Sequence, residues 1–171
     1  MIEPTAVGRG REQELAKAAE DLFAALDARR EKIVLAESCT GGMAAAALTE
    51  LAGASRILWG SIVCYSVAAK TRLLAVDAAT IRRFGVVSRE TAEAMARGAL
   101  AASDADWSAA VTGFAGPDVP AEEGAPGRVC IAWMQRGLEP RSEELRFEGG
   151  RHEIREAAAL RLLEGATPGR Y

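Results

Sequence analysis

Between Arg11 and Arg29 apolar residues recur at helical spacing, at Leu15, Ala18, Ala19, Leu22, Phe23 and Leu26, which predicts an amphipathic helix. The pattern then changes. Ile33 to Ala36 is a short unbroken apolar run that reads as a buried strand, and an alanine-rich helical stretch follows from Met43 to Leu51. After a break at Gly53-Ala-Ser, the segment from Ile57 to Tyr65 reads as a second strand, and Ser66 to Leu74 as a short helix carrying Lys70. Asp77 is placed to cap a helix ending near Phe84-Gly85, and Ser88 to cap one that runs to about Ser103. Trp107 to Thr112 is a third strand. Arg128 to Arg136 and Arg141 to Phe147 form a fourth and fifth, joined closely enough around Gly137 and Pro140 to pair antiparallel. Arg151 to about Glu164, after Gly149-Gly150, is a last helix.

Strands alternating with helices early in the chain predict an α/β layer fold with a largely parallel sheet. Residues 1–10, with Pro4, Gly8 and Gly10, show no periodicity and are expected to form a flexible tail. Residues 11–165 are then a single domain and 166–171 a short C-terminal tail. Asp118 to Gly127, with three acidic residues, two prolines and two glycines, is expected to be a loop.

Composition narrows the function. The net charge of −3 gives no electrostatic case for nucleic acid. No apolar run approaches the ~20 residues of a membrane span, and the polar N-terminus does not read as a signal peptide. Three cysteines, Cys39, Cys64 and Cys130, form no CxxC pair, which fits a reducing cytoplasm and argues against a disulfide framework or a Cys-rich zinc site. His152 is the single histidine, so any Ser-His-Asp triad must use it, and a metal site with two histidines is impossible within one chain. Against 18 arginines there are only three lysines, Lys17, Lys32 and Lys70. Lysine can give up its proton when buried, whereas arginine cannot.

Two strand ends carry the candidate chemistry: Glu37-Ser38-Cys39-Thr40-Gly41-Gly42 and Thr112-Gly113-Phe114-Ala115-Gly116-Pro117. In open α/β sheets, ligands bind outside the carboxyl ends of the strands. The helix that begins after Gly42 offers N–H groups and a positive dipole end, and the hydroxyls and backbone amides at both strand ends suit a phosphate or an oxyanion. Neither segment is a Walker motif or a GxGxxG fingerprint. A serine hydroxyl is a poor nucleophile until a neighbouring base takes its proton; Lys70 is the best base available to Ser38, and Tyr65 could join the same hydrogen-bond network. Cys39 is an alternative nucleophile. The plainer readings are an N-cap for Ser38 or Thr40, a solvated helix face for Lys70, a strand-end aromatic for Tyr65 and a small buried residue for Cys39.

In this order, Ala36-Glu-Ser-Cys-Thr-Gly-Gly42, Tyr65-Ser66 with Lys70, Gly85-Val-Val-Ser88 and Val111-Thr-Gly-Phe-Ala-Gly-Pro117 resemble the CinA C-terminal domain family, which includes bacterial nicotinamide-nucleotide amidohydrolases. The ending Phe147-Glu-Gly-Gly-Arg151-His-Glu-Ile-Arg155 is similar to its closing motif. The resemblance implies a three-layer α/β/α sandwich with a mixed, mostly parallel sheet of about five strands, in a stand-alone form without the long N-terminal domain of full-length members. It implies a cytoplasmic homodimer or higher homo-oligomer that hydrolyses the carboxamide of nicotinamide mononucleotide with no cofactor or metal. It makes Ser38 the nucleophile with Tyr65 and Lys70 as partners. Glu37, Thr40, Gly41, Gly42, Ser66, Thr112, Gly113 and Gly116 would line the substrate site, and Arg151 would meet the substrate phosphate.

The chain departs from the family pattern in three places. Val67 stands where Asn usually follows Tyr-Ser, Asp118-Val119-Pro120 where glycines usually follow Gly-Pro, and Gly150 where Asp usually precedes the arginine. Negative charge at Asp118, Glu122 and Glu123 would weigh against a phosphate if it faced the site. These changes leave a second expectation open, a non-catalytic or substrate-diverged nucleotide-binding member of the same family.

Overall fold

The computed structural model describes residues 6–116 and 124–169. The elements in chain order are α1 (Ala6–Arg29), β1 (Ile33–Glu37), α2 (Met43–Thr49), β2 (Leu58–Val63), α3 (Val67–Leu74), α4 (Ala78–Phe84), α5 (Arg89–Ala101), β3 (Trp107–Gly113), β4 (Arg128–Gln135), β5 (Arg141–Arg146) and α6 (Arg151–Ala166), with a 3-10 turn at Ala54–Arg56 before β2. The helix starts follow local chemistry. The side chains of Ser66, Asp77 and Ser88 accept the backbone N–H of Ala69, Ala79 and Thr91 and so cap α3, α4 and α5. α1 begins at Ala6, inside the stretch expected as a tail. Asp118, Glu122 and Glu123 of the expected acidic loop, with Val119 and Pro120, lie outside the described residues.

The five strands form one sheet in the order β2-β1-β3-β4-β5. β1 pairs parallel with β2 and β3, whereas β3–β4 and β4–β5 are antiparallel, so β4 alone runs against the other four. Helices cover both faces. Strand alternation sends Ile33 and Leu35 of β1, with Val129, Ile131 and Trp133 of β4, into a core shared with α1, α2 and α6. It sends Val34 and Ala36, with Cys130 and Ala132, into a second core against α3, α4 and α5. The result is the expected α/β/α sandwich with a mixed sheet.

The chain leaves β1 toward β2 but leaves β3 toward β4, on the other side. Connections that diverge in this way open a crevice between the carboxyl ends of the two strands. β1 ends at Glu37 and β3 at Gly113, so the two polar strand ends meet at this crevice. A hydrogen bond from Ser38 N–H to the Val111 carbonyl, 3.1 Å, joins them.

Candidate active site

The alternation that builds the two cores also separates the first two residues of the polar turn. Glu37 faces α2 and Ser38 faces α3. The Glu37 carboxylate is fully buried and accepts the N–H groups of Gly42 (3.0 Å), Ala44 (3.2 Å) and Ala45 (3.1 Å) and the Ser61 hydroxyl (3.0 Å). An acidic side chain therefore already holds the positive end of α2, and this helix start has no amide left over for an anionic ligand at those positions.

On the opposite face, Lys70 Nζ lies 2.8 Å from Ser38 Oγ and donates to the Cys64 carbonyl at 2.9 Å. Lys70 is entirely buried, so it is not the solvated helix residue that its position on a short helix allows. Burial pushes its ammonium below the ordinary lysine range, opposed only by weaker attraction from Cys64 and Cys39. No carboxylate pairs with it among the described residues. The Cys39 thiol is buried too, and burial pushes it up to about 12, which leaves it a packing residue. His152 is exposed on α6 and pairs with Glu156 at 3.2 Å, so it does not complete a triad with Ser38. Lys70 is the basic side chain in hydrogen-bond contact with the serine.

Gly41 and Gly42 both have positive φ, at 63° and 95°, which a side chain would strain. They let the chain reverse between β1 and α2. Within this turn the Gly41 N–H binds the Ser38 carbonyl (3.1 Å) and the Met43 N–H the Thr40 carbonyl (3.4 Å). The N–H groups of Cys39 and Thr40 have no oxygen acceptor among the described residues. Thr40 Oγ1 is buried without a hydrogen-bond partner. Both amides lie against the Cys39 sulfur, a weak acceptor, in the two residues that follow the serine; donors of this kind are what an acyl-transfer site uses to hold an oxyanion.

The remaining sequence candidates sit around this centre in different roles. Thr112 Oγ1 donates to the Val86 carbonyl at 2.9 Å and so holds the segment that leads into α5. Gly113 is a packing requirement, because a Cβ there would come within 2.8 Å of Val129 Cγ2 and 3.0 Å of Cys39 Sγ. Ser66 caps α3 and thereby supports the helix that carries Lys70. Tyr65 is 61% exposed. Its hydroxyl accepts from Arg151 Nη2 at 2.9 Å, and no hydrogen bond joins it to Ser38 or Lys70 among the described residues. Gly116 lies beside the same guanidinium; a Cβ there would sit 3.0 Å from Arg151 Nη1. Val67, at the start of α3, is exposed.

Sequence reasoning missed Arg155. Its Nε donates to the Cys39 carbonyl at 3.1 Å and its Nη2 to the Thr40 carbonyl at 2.8 Å. The available signal was its place four residues after Arg151, on the same face of α6.

The sequence model of the CinA C-terminal domain matches residues 15–167. The chain belongs to the CinA C-terminal domain family. It is 46% identical over 153 residues to a CinA-like protein of Mycolicibacterium vanbaalenii, an alignment covering 88% of this chain and 36% of that one. It is 40% identical over 139 residues to a CinA-like protein of Akkermansia muciniphila, covering 81% and 34%. The chain thus spans about a third of the length of these curated relatives. Among solved structures it is similar to the competence/damage inducible protein CihA of Agrobacterium tumefaciens, with a TM-score of 0.85, 36% identity and coverage of 96% of this chain and 95% of that one. The competence or damage-inducible protein of Enterobacter asburiae superimposes with a TM-score of 0.87 at 30% identity, covering 92% and 98%. No helix among the described residues is long and apolar enough to cross a membrane.

Proposed function

We propose that this CinA-family domain is a serine amidohydrolase that converts the carboxamide of nicotinamide mononucleotide to the carboxylate, releasing ammonia. The contact between Lys70 Nζ and Ser38 Oγ, buried and without a carboxylate, carries this reading. A buried lysine with a lowered pKa is neutral in a larger fraction of molecules, and only the neutral amine accepts a proton. Ser38 Oγ attacks the amide carbon as its proton passes to Lys70. The carbonyl oxygen becomes an oxyanion held by the Cys39 and Thr40 N–H groups. Collapse of the tetrahedral intermediate breaks the C–N bond, and Lys70 returns its proton to the departing nitrogen, which leaves as ammonia. Water then adds to the acyl ester with Lys70 again as base, freeing the nicotinate product and the Ser38 hydroxyl.

The nucleotide assignment rests on the family resemblance and on Arg151, whose exposed guanidinium meets Tyr65 beside the crevice and suits a phosphate. Purified protein should release one ammonia per nicotinate mononucleotide formed, and Ser38→Ala should abolish both. Val67 and Asp118-Val119-Pro120, which stand where the family's motifs usually carry Asn and glycines, favour a second reading, a nucleotide-binding member that no longer turns this substrate over. Binding of nicotinamide mononucleotide without ammonia release would favour that second reading over hydrolysis.

A further inference from the structure

Arg155 belongs to α6, while the turn it grips belongs to the β1–α2 connection, over a hundred residues earlier in the chain. No ion pair joins its half-buried guanidinium to a carboxylate among the described residues, and its two hydrogen bonds go to successive carbonyls, of Cys39 and Thr40. A trans peptide unit is planar, with its C=O and N–H directed oppositely. The Cys39 carbonyl shares its unit with the Thr40 N–H, and the Thr40 carbonyl shares its unit with the Gly41 N–H. Pulling both carbonyls toward α6 therefore turns both amides to the other side. The Gly41 N–H is satisfied there by the Ser38 carbonyl. The Thr40 N–H has no oxygen acceptor among the described residues; it lies against the Cys39 sulfur, a weak acceptor that an oxyanion would outcompete.

We propose that Arg155 is a positioning residue that aims the Thr40 N–H at the developing oxyanion and strengthens it as a donor. A cation on the carbonyl polarises the whole peptide unit and makes its N–H the better donor. The serine, the lysine and the amide thus come from the β1–α2 turn and α3, while the charge that orients the amide comes from α6. Arg155 itself touches neither the reacting atoms nor Ser38. This role rests on the reading of Ser38 as nucleophile.

A fluorophosphonate probe separates the two ideas, because its P=O oxygen needs the same donors while its phosphorus is attacked by the serine with loss of fluoride. The wild-type protein should be labelled at Ser38, and Ser38→Ala should not. Arg155→Ala should be labelled at least about tenfold more slowly, since losing an oxyanion donor outright costs about 10²–10³. Millimolar guanidinium ion should restore the Arg155→Ala labelling rate, and ammonium ion at the same concentration should not. Arg155→Lys, which keeps the charge but loses the two-pronged grip, should fall between, and serves as the variant of record if Arg155→Ala does not fold. For amide hydrolysis, kcat should drop while KM stays within about threefold, the split expected when an interaction made only in the transition state is lost. No labelling of the wild-type serine would remove the nucleophile and this role with it. Wild-type labelling matched in rate by a folded Arg155 variant, or slowed labelling that guanidinium leaves unchanged, would overturn the role of Arg155 alone.

Discussion

Lys70 Nζ stands 2.8 Å from Ser38 Oγ in a site where lysine is fully buried and a carbonyl, that of Cys64, is its other partner. The two residues come from different elements on the same face of the sheet. No carboxylate among the described residues holds the charge of the amine, which is what the proposed role of Lys70 as base requires.

Lys70→Arg should reduce amide hydrolysis to less than about a tenth of the wild-type rate, because arginine keeps the charge but cannot act as a base and general-base catalysis contributes roughly 10²–10⁴-fold. Steady-state ammonia release, with circular dichroism to confirm the fold, measures this. A rate above that tenth would exclude Lys70 as the base.

The lowered pKa of Lys70 sets the direction of two pH dependences. Turnover should rise with pH through the lowered pKa as the amine becomes neutral, and the rise should begin below the ordinary value of 10.5. Between the folded and unfolded pKa the unfolded chain holds more protons on this residue, so stability rises with pH across that window. Below the lowered pKa both states are protonated and the folded state carries the full cost of a buried charge. In Lys70→Met this part of the pH dependence should vanish. Urea unfolding at several pH values reads it, and an unchanged slope in Lys70→Met would assign the dependence to other groups.

Glu37→Gln should destabilise the fold. The carboxylate accepts three backbone N–H groups and one hydroxyl, and a glutamine amide would turn donors toward donors. Leaving buried donors unsatisfied costs about 1–3 kcal/mol, which for a domain of this size lowers Tm by roughly 2–4 °C per kcal/mol. Calorimetry tests this; a Tm within a degree of wild type would show that the carboxylate is not what secures the start of α2.

Tyr65→Phe and Arg151→Met each remove one side of the same hydrogen bond. Both should raise KM for nicotinamide mononucleotide more than they lower kcat, and the double variant should be less than additive, as expected for residues in direct contact. Nicotinamide riboside, which lacks the phosphate, should be hydrolysed with a KM insensitive to Arg151→Met. A loss confined to kcat in Tyr65→Phe would instead tie the phenol to the Ser38–Lys70 chemistry.

Much of this molecule is written locally. The apolar run at Ile33 to Ala36, short and rich in β-branched residues, suits a strand buried on both faces, and Asp77 and Ser88 start helices because their side chains accept the first free amides. The ordered motifs also identified the family and hence the layered fold. What a side chain does at the end of a strand depends on which face it reaches and what other elements bring there. Glu37 and Ser38 are neighbours, expected as a lining residue and as the nucleophile of one site, yet strand alternation gives the first to the start of α2 and brings the second to Lys70. Tyr65 follows a buried cysteine but emerges into solvent against Arg151, because β2 is an edge strand and the chain turns outward there. The spacing of Arg155 from Arg151 shows only that the two share a helix face, and it says nothing of its partners, which are carbonyls that every residue possesses; only the docking of α6 against the β1–α2 turn brings the guanidinium to the two that matter.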